Sequence, residues 1–196
     1  MPRIAAASIE EHVRIQSEKI LDAANDLFRN NGYRRTDIGD IGAAIGLARN
    51  SLYRYFPNKD HILLACVWRD MQPFLEQMQK LAEETDNPLE QLETWLDLQL
   101  DIATSPAHAT IEMISEIRSE SPALRREIQR LHQAPNTIMQ AVLTRLMAGK
   151  EFDIALFADL VSGLAQSASL HAMQNGNAAV VKPKLRAAVR KLLDQD

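Results

Sequence analysis

The 196-residue sequence predicts an all-α fold, with a three-helix headpiece at the N-terminus and a larger C-terminal helical bundle. Apolar residues recur at the three- and four-residue spacing of a helix in about nine segments. Runs of alternating β-branched residues joined by hairpin turns, which would indicate a sheet, are missing. Apolar residues make up 46% of the chain, which is enough for a substantial core.

The first predicted helix starts near His12 or Ser17 and ends at Asn30, after a loose arm at Met1–Glu11. Gly32 follows it and is suited to the left-handed conformation that often closes a helix. The predicted core stripe of this helix contains Ile20, Ala24, Leu27 and Phe28.

Two short helices follow, joined by a glycine turn. Thr36 is the predicted N-cap of the first, because its hydroxyl can accept a hydrogen bond from an unpaired amide. The apolar side of that helix contains Ile38, Ile41 and Ile45. Gly46 makes the turn, and Leu52 anchors a second helix over Ala48–Tyr53. This arrangement presents a recognition helix to the DNA major groove.

The remaining pattern predicts long helices that form the body. Pro73 should kink or break the helix that starts at Lys59, and a later helix should be interrupted or bent near Pro135. Pro88 fits the first position of its helix. The predicted body helices cover residues 59–84, 107–119, 123–148 and 152–174. A further helix starts at Pro88 and continues through Leu100, and a last helix carries Val181 to Leu193.

A specific run of residues surrounds the glycine turn. It reads Ala44-x-Gly46-Leu47-Ala48-x-x-x-Leu52-Tyr53-x-Tyr55-Phe56-x-Asn58-Lys59-Asp60. This run resembles the DNA-binding signature of the TetR family of bacterial transcriptional regulators, and the resemblance extends over Ser17–Leu64. Gly39 and Gly42 depart from it, because the family carries better helix formers there. Each glycine inside a helix costs about 1 kcal/mol relative to alanine, which predicts a softer first helix.

The resemblance implies a DNA-binding domain over residues 12–58 and a ligand-sensing, dimerisation domain over residues 59–196. It implies a homodimer that binds a palindromic operator, acts as a repressor, and is released by a small molecule in the C-terminal domain. Neither the identity of that effector nor the operator sequence follows from the resemblance.

Charge is distributed unevenly along the chain. The formal net charge is −4, yet residues 29–59 hold six basic side chains against two acidic ones, a local charge of +4. A basic headpiece on an acidic body is typical of a protein that touches phosphate at one end. We expect double-stranded DNA as the partner of this end.

The candidate DNA contacts fall into two kinds. Arg49 could donate two parallel bonds to guanine, and Asn50 and Ser51 could pair with base edges or phosphate. Arg35 and Thr36 would face the backbone at a helix N-terminus, and the resemblance implies backbone contacts for Tyr53, Tyr55 and Lys59. The full predicted DNA-binding set is Arg35, Thr36, Arg49, Asn50, Ser51, Tyr53, Tyr55 and Lys59.

The helix around Ile154–Met173 is apolar on two sides, so it must be buried on two sides. A central core helix is one explanation, and a dimer interface shared with the last helix is the other. The resemblance implies the dimer. The predicted interface contains Phe157, Val161, Leu164, Ala168, Leu185, Val189 and Leu192.

Large, adaptable side chains on several body helices could line an apolar cavity, although ordinary core packing explains each of them singly. The candidate ligand contacts are Trp68, Met71, Phe74, Trp95, Met113 and Met139. We expect an unknown, partly apolar small molecule as effector. No cofactor is expected.

Enzymatic motifs are missing from the sequence: the five histidines are scattered, and neither a phosphate loop nor a nucleophile elbow is found. His108 and Glu112 share a helix face, but a helix-surface contact explains them better than a metal does. Cys66 is the only cysteine, which excludes an internal disulfide.

Without a signal peptide or a membrane span in the sequence, we expect a cytoplasmic protein that is not an enzyme. The alternative function is a helical small-molecule-binding or catalytic protein whose helix-turn-helix is structural. A stable dimer with DNA affinity would discriminate in favour of the regulator.

Overall fold

A computed structural model describes residues 6–117, 122–149 and 153–194, and within these ranges the chain is helical without any strand. The all-α prediction is confirmed. The helices, in chain order, are α1 (Ala6–Asn31), α2 (Ile38–Ala44), α3 (Arg49–Leu52), α4 (Lys59–Glu84), α5 (Pro88–Thr104), α6 (Ala107–Glu112), a 3-10 helix (Met113–Glu116), α7 (Pro122–Leu146), α8 (Ile154–Asn175) and α9 (Ala178–Leu193).

The chain divides into two compact units. Unit 1 contains Met1–Asp70 and Ala109–Ile128, and unit 2 contains Met71–His108 and Gln129–Asp196. Unit 1 therefore holds the whole predicted headpiece together with the first turns of α4 and the segment that includes the 3-10 helix. Among the described residues, no helix combines the length and the apolar character that a membrane span requires.

Unit 1 is built on α1, which starts earlier than its sequence pattern predicts. The helix begins at Ala6, so part of the expected arm is helical. Arg14 reaches back one turn to pair with Glu11 at 2.7 Å, a contact that favours helix in this stretch. Further along α1, Ile20 and Phe28 are fully buried, as the predicted stripe requires.

The N-cap of α2 is Asp37 and not Thr36, which corrects the sequence-based prediction. The Asp37 carboxylate accepts the Gly39 amide at 2.8 Å, and the Asp40 carboxylate accepts the Asp37 amide at 2.7 Å. This reciprocal pair is a capping box. The Gly39 hydrogen bond also lowers the pKa of the Asp37 carboxyl below its usual value.

Unit 2 is a bundle in which α5, α8 and α9 pack around one apolar core. Leu92 and Leu96 of α5, Val161 of α8 and Val189 of α9 are all buried in it. A row of ion pairs joins α5 to α9 along their edge, because both helices present charges at four-residue spacing. The pairs are Glu93–Arg190, Asp97–Arg186 and Asp101–Lys182.

Two predicted interruptions do not end their helices. Pro73 lies inside α4, which continues to Glu84, and α7 runs unbroken from Pro122 to Leu146. A proline removes one backbone donor but does not end a helix whose apolar face is held by packing. The helix predicted over residues 107–119 is shorter than expected, because α6 gives way to the 3-10 helix at Met113; residues 118–119 lie outside the described ranges.

Candidate DNA-binding surface and effector pocket

A close backbone approach sets the angle between α2 and α3. Gly46 has a φ of 70°, which allows the turn, and the Leu47 amide donates to the Gly42 carbonyl at 2.8 Å. A β-carbon on Gly42 would lie only 2.6 Å from the Leu47 carbonyl oxygen. Gly42 is thus required for close packing of the two helices, which corrects its interpretation as a mere softening of α2.

Helix α3 is a single turn held by one side chain. Leu52 is fully buried, whereas Arg49 and Asn50 are exposed and Tyr53 is 43% exposed. The Arg49 Nε lies 3.4 Å from the Tyr53 hydroxyl oxygen, so the two side chains share one face. Short helices of this kind are stabilised by tertiary packing and not by their own propensity. The side chains on the outer face of α3 are therefore available to a partner.

Lys59, predicted to contact DNA, is engaged inside the protein. Its ammonium donates to the backbone carbonyls of Tyr33 at 2.7 Å and Thr36 at 2.8 Å, and it lies 4.2 Å from the centre of the Tyr33 ring. Two of its three N–H groups are used by these carbonyls. Lys59 therefore fixes the loop that leads into α2 to the first turn of α4.

Thr36 also acts inside the protein. Its side chain is buried, and its hydroxyl donates to the Gly32 carbonyl at 2.9 Å. The sequence pattern missed this role, because a buried threonine and a capping threonine look alike in sequence. The Thr36 hydroxyl has no exposed surface for phosphate in this conformation.

The other predicted DNA-binding residues divide by exposure. Arg35 is exposed, and its Nε donates to the Asn31 carbonyl at the end of α1 at 2.7 Å. Ser51 and Tyr55 are half-buried. Arg54, which is absent from the predicted set, is exposed next to Tyr53, and its charge and its position in the turn after α3 make it a further candidate.

Tyr33 lies near the start of the loop between α1 and α2. Its ring is buried, packs 5.6 Å from the Phe28 ring, and its hydroxyl donates to the Asp60 carboxylate. Burial, followed by the Asp60 hydrogen bond, raises the pKa of Tyr33 well above its usual value. The phenol stays protonated and keeps the first turn of α4 fastened to this loop.

An ion pair that the sequence did not predict lies beside this cluster. Arg34 Nε is 3.0 Å from the Glu116 carboxylate at the end of the 3-10 helix. The side chains of Tyr33, Arg34, Lys59, Asp60 and Glu116 surround one open depression in unit 1. Glu116 had no local signal, because its partner is distant in the sequence.

A small apolar pocket, with a cavity volume of about 20 Å³, lies in unit 2. Met71, Phe74 and Trp95 line it, as the sequence pattern proposed for an effector site. The lining of this pocket is apolar except for Gln99. The complete lining is Met71, Phe74, Leu75, Met78, Trp95, Leu98, Gln99, Ile102 and Ile138.

Three predicted ligand residues are not in this lining. Met139 is fully buried in the core of unit 2, one position along from the lining residue Ile138. Trp68 and Met113 belong to unit 1 and are half-buried there. Residue size and softness do not reveal which side of a helix a methionine occupies.

Helix α8 has one buried side and one exposed apolar side. The predicted interface residues Phe157, Val161, Leu185 and Val189 are buried within the chain itself, so they cannot form an outer surface. Leu164 is exposed, and Ala168 and Leu192 are half-buried. The large exposed apolar side chains of this region are Leu156, Leu160, Leu164, Leu170, Met173 and Val180.

The comparisons with known proteins match this geometry. Residues 20–66, which contain α2 and α3, match the family model "Bacterial regulatory proteins, tetR family". The fatty acid metabolism regulator protein of Bacillus subtilis is 25% identical over 149 residues, which cover 74% of this chain and 77% of that protein. Residues 20–66 therefore form a DNA-binding domain of the TetR type, and the protein is a DNA-binding transcriptional regulator.

Two solved structures share the fold. The FadR regulator of Bacillus subtilis, in complex with stearoyl-CoA, superimposes with a TM-score of 0.68 at 22% identity, over 90% of this chain and 96% of that one. The FadR repressor of Thermus thermophilus, in complex with lauroyl-CoA, gives a TM-score of 0.60 at 21% identity, over 91% and 93% of the two chains.

Proposed function

We propose that the protein is a homodimeric repressor that binds a palindromic operator through residues 12–58 and senses a small molecule through residues 59–196. The observation that carries this proposal is the outer face of α3, where Arg49 and Asn50 are exposed while Leu52 is buried. Two such helices in a dimer would enter successive major grooves, about 34–36 Å apart or a multiple of that distance. Such a protein works in the cytoplasm, where bacterial DNA lies.

Several residues support the helix and do not read DNA in this proposal. Lys59 and Thr36 fix the loop before α2 through internal hydrogen bonds. Arg35, Arg54 and the half-buried Tyr55 are left to approach phosphate. This division follows the general pattern in which phosphate contacts position a protein and base contacts specify sequence.

The partner of α8 in this proposal is a second copy of the chain. Leu156 is 57% exposed and Leu160 is 51% exposed, and with Leu164 they form a stripe at four-residue spacing. Contiguous exposed apolar patches of this kind mark interaction sites. A twofold axis beside this stripe would let the stripe of each copy pack against the stripe of the other.

Light scattering at micromolar concentration tests the dimer. Leu160→Arg should yield a folded monomer, because a charge in a desolvated interface is unpaired. The matched control is Gln166→Arg, which adds the same charge at an exposed polar position of α8. A dimer that survives Leu160→Arg would exclude this face.

The proposed effector is a fatty-acyl compound. The pocket of unit 2 is lined by apolar side chains apart from Gln99, and relatives of the same fold were solved with stearoyl-CoA and lauroyl-CoA. Helix α4 supplies Met71, Phe74, Leu75 and Met78 to the pocket and carries Lys59 in its first turn. A shift of α4 on ligand binding would therefore displace the loop before α2.

A chain-length series tests the effector. Binding of octanoyl-, decanoyl- and lauroyl-CoA is followed by Trp95 fluorescence in a Trp68→Phe background, since Trp95 lines the pocket. The cavity of about 20 Å³ must widen to admit an acyl chain, so affinity should rise by about 0.8 kcal/mol for each CH₂ that becomes buried as the lining side chains move apart. Coenzyme A alone is the control, and equal binding of all four compounds would contradict an acyl-chain site.

Operator binding is tested by selecting bound sequences from a pool of random duplexes. The affinity of the protein for the most enriched duplex is then measured by fluorescence anisotropy. We expect a palindromic sequence whose affinity falls steeply with salt, because neutralised phosphates release counterions. Lauroyl-CoA should release the protein from it. Failure to enrich any sequence, with the dimer intact, would contradict the proposal.

A further inference from the structure

The ion pair between Arg34 and Glu116 joins two distant parts of unit 1. Arg34 lies in the loop before α2, next to the candidate phosphate contact Arg35, and its side chain is 68% exposed. Glu116 ends the 3-10 helix, with a side chain only 33% exposed. The guanidinium Nε and the carboxylate oxygen are 3.0 Å apart.

The surrounding charges leave Arg34 as the movable member of this cluster. Lys59 is held by two backbone carbonyls, and Asp60 accepts the Tyr33 hydroxyl. Arg34 has five N–H donors in a planar fork that suits carboxylate and phosphate equally. Its described ionic contact is Glu116, so its guanidinium can exchange one anion for another.

We propose that Glu116 competes with operator phosphate for Arg34, and so ties DNA affinity to the position of the 3-10 helix. In the observed conformation the Glu116 carboxylate is paired with the Arg34 guanidinium. Its negative charge would also repel a DNA phosphate that approaches Arg34. DNA binding requires the guanidinium to leave Glu116. The inference rests on the proposed operator binding.

The order of the helices along the chain could couple this competition to effector binding. Helix α5 lines the effector pocket with Trp95, Leu98, Gln99 and Ile102, and the chain continues from α5 through α6 into the 3-10 helix. A movement that starts at α5 can therefore advance or withdraw Glu116. This is a second covalent route from pocket to headpiece, independent of α4.

A double-mutant cycle on operator affinity tests the competition. Glu116→Gln keeps the shape of the side chain but removes its charge, and it should tighten operator binding by about two- to fivefold, the range of an exposed ion pair. Arg34→Gln should weaken binding and reduce the salt slope by about one. In the Arg34→Gln background, Glu116→Gln should have no effect.

Three results decide the matter. Equal tightening by Glu116→Gln in both backgrounds would show that Glu116 repels DNA generally, and would overturn the role of Arg34. No tightening in the wild-type background would also overturn it. Asp26→Asn removes another exposed acid of unit 1 and should tighten binding less than Glu116→Gln does; tightening of the same size would overturn the proposal.

The wild-type measurement separates this inference from the function on which it rests. If wild-type protein binds no selected duplex, operator binding itself fails. If wild type binds and the cycle shows no coupling, only the competition fails. The response to lauroyl-CoA gives a further readout: Glu116→Gln should retain more operator binding at saturating effector than wild type does.

Discussion

The outer surfaces of α3 and α8 are held in place by different means. Helix α3 is one turn long, anchored by Leu52 and oriented by the close approach of Gly42 to Leu47. Helix α8 is anchored over its whole length by residues such as Phe157 and Val161, which belong to the core of unit 2. The first surface depends on a few specific contacts, and the second on distributed packing.

This difference sets how each surface responds to change. Loss of one contact near α3 should displace the exposed side chains Arg49 and Asn50 without unfolding unit 2. Loss of one core residue under α8 should lower the stability of unit 2, because neighbouring side chains refill the space only in part. Three substitutions and one chemical modification, in order of decreasing effect, test this contrast.

Phe157→Ala should give the largest effect, a loss of about 3–5 kcal/mol in the free energy of unfolding. Urea denaturation should show this loss at every protein concentration, since Phe157 is buried within one chain. Leu156→Ala is the matched control on the exposed side. Its effect should vanish on dilution, because it acts through the proposed dimer; a concentration-independent loss would place Leu156 in the core.

Lys59→Met should lower the stability of unit 1 by about 1.5–3 kcal/mol, the range for hydrogen bonds to a charged group. The Tyr33 and Thr36 carbonyls would lose their donor. Faster hydrogen exchange of α2 amides measures the loss. Arg54→Met removes the same charge from an exposed side chain and should change exchange little; equal effects of the two variants would argue against the internal role of Lys59.

Gly42→Ala should destabilise unit 1 by about 1–3 kcal/mol, because the added methyl group meets the Leu47 carbonyl. Gly39→Ala should be neutral or stabilise by up to about 1 kcal/mol, since its nearest neighbour would be Asp37 Oδ1 at 3.5 Å. Thermal melts of the two variants make the comparison. Stabilisation by both would mean that α2 and α3 adjust to the extra volume.

Cys66 should show the smallest effect, a difference in rate only. Burial raises the pKa of its thiol to about 12, so the fraction of reactive thiolate at pH 8 is far smaller than in the unfolded chain. Alkylation by iodoacetamide at pH 8 should be slow in the folded protein and fast in urea. Rapid modification under native conditions would show that α4 opens around Cys66.

Sequence alone predicted those features that depend on neighbouring residues. The glycine turn at Gly46, the buried Leu52 and the start of α5 at Pro88 all follow from local patterns, and the structure has each of them. The exposure of Arg49 and Asn50 follows from Leu52, because a one-turn helix anchored on one side presents the other.

Features that depend on distant partners were not predictable in this way. The two apolar sides of α8 have similar sequences, and only the packing of α5 and α9 decides which of them is buried. For the same reason, the sequence around Lys59 and Thr36 does not reveal their internal hydrogen bonds, because their carbonyl partners are fixed by the tertiary fold. The pairs Arg34–Glu116 and Asp97–Arg186 join residues far apart in the chain.

The most direct test is base-by-base competition on the selected operator, measured by anisotropy for wild type, Arg49→Ala and Asn50→Ala. Each variant should lose about 1–3 kcal/mol of discrimination at one position of each half-site and keep its preference elsewhere. A loss of affinity that is uniform over all sequences would mean that α3 only touches phosphate. That result would contradict the assignment of α3 as the element that reads the operator.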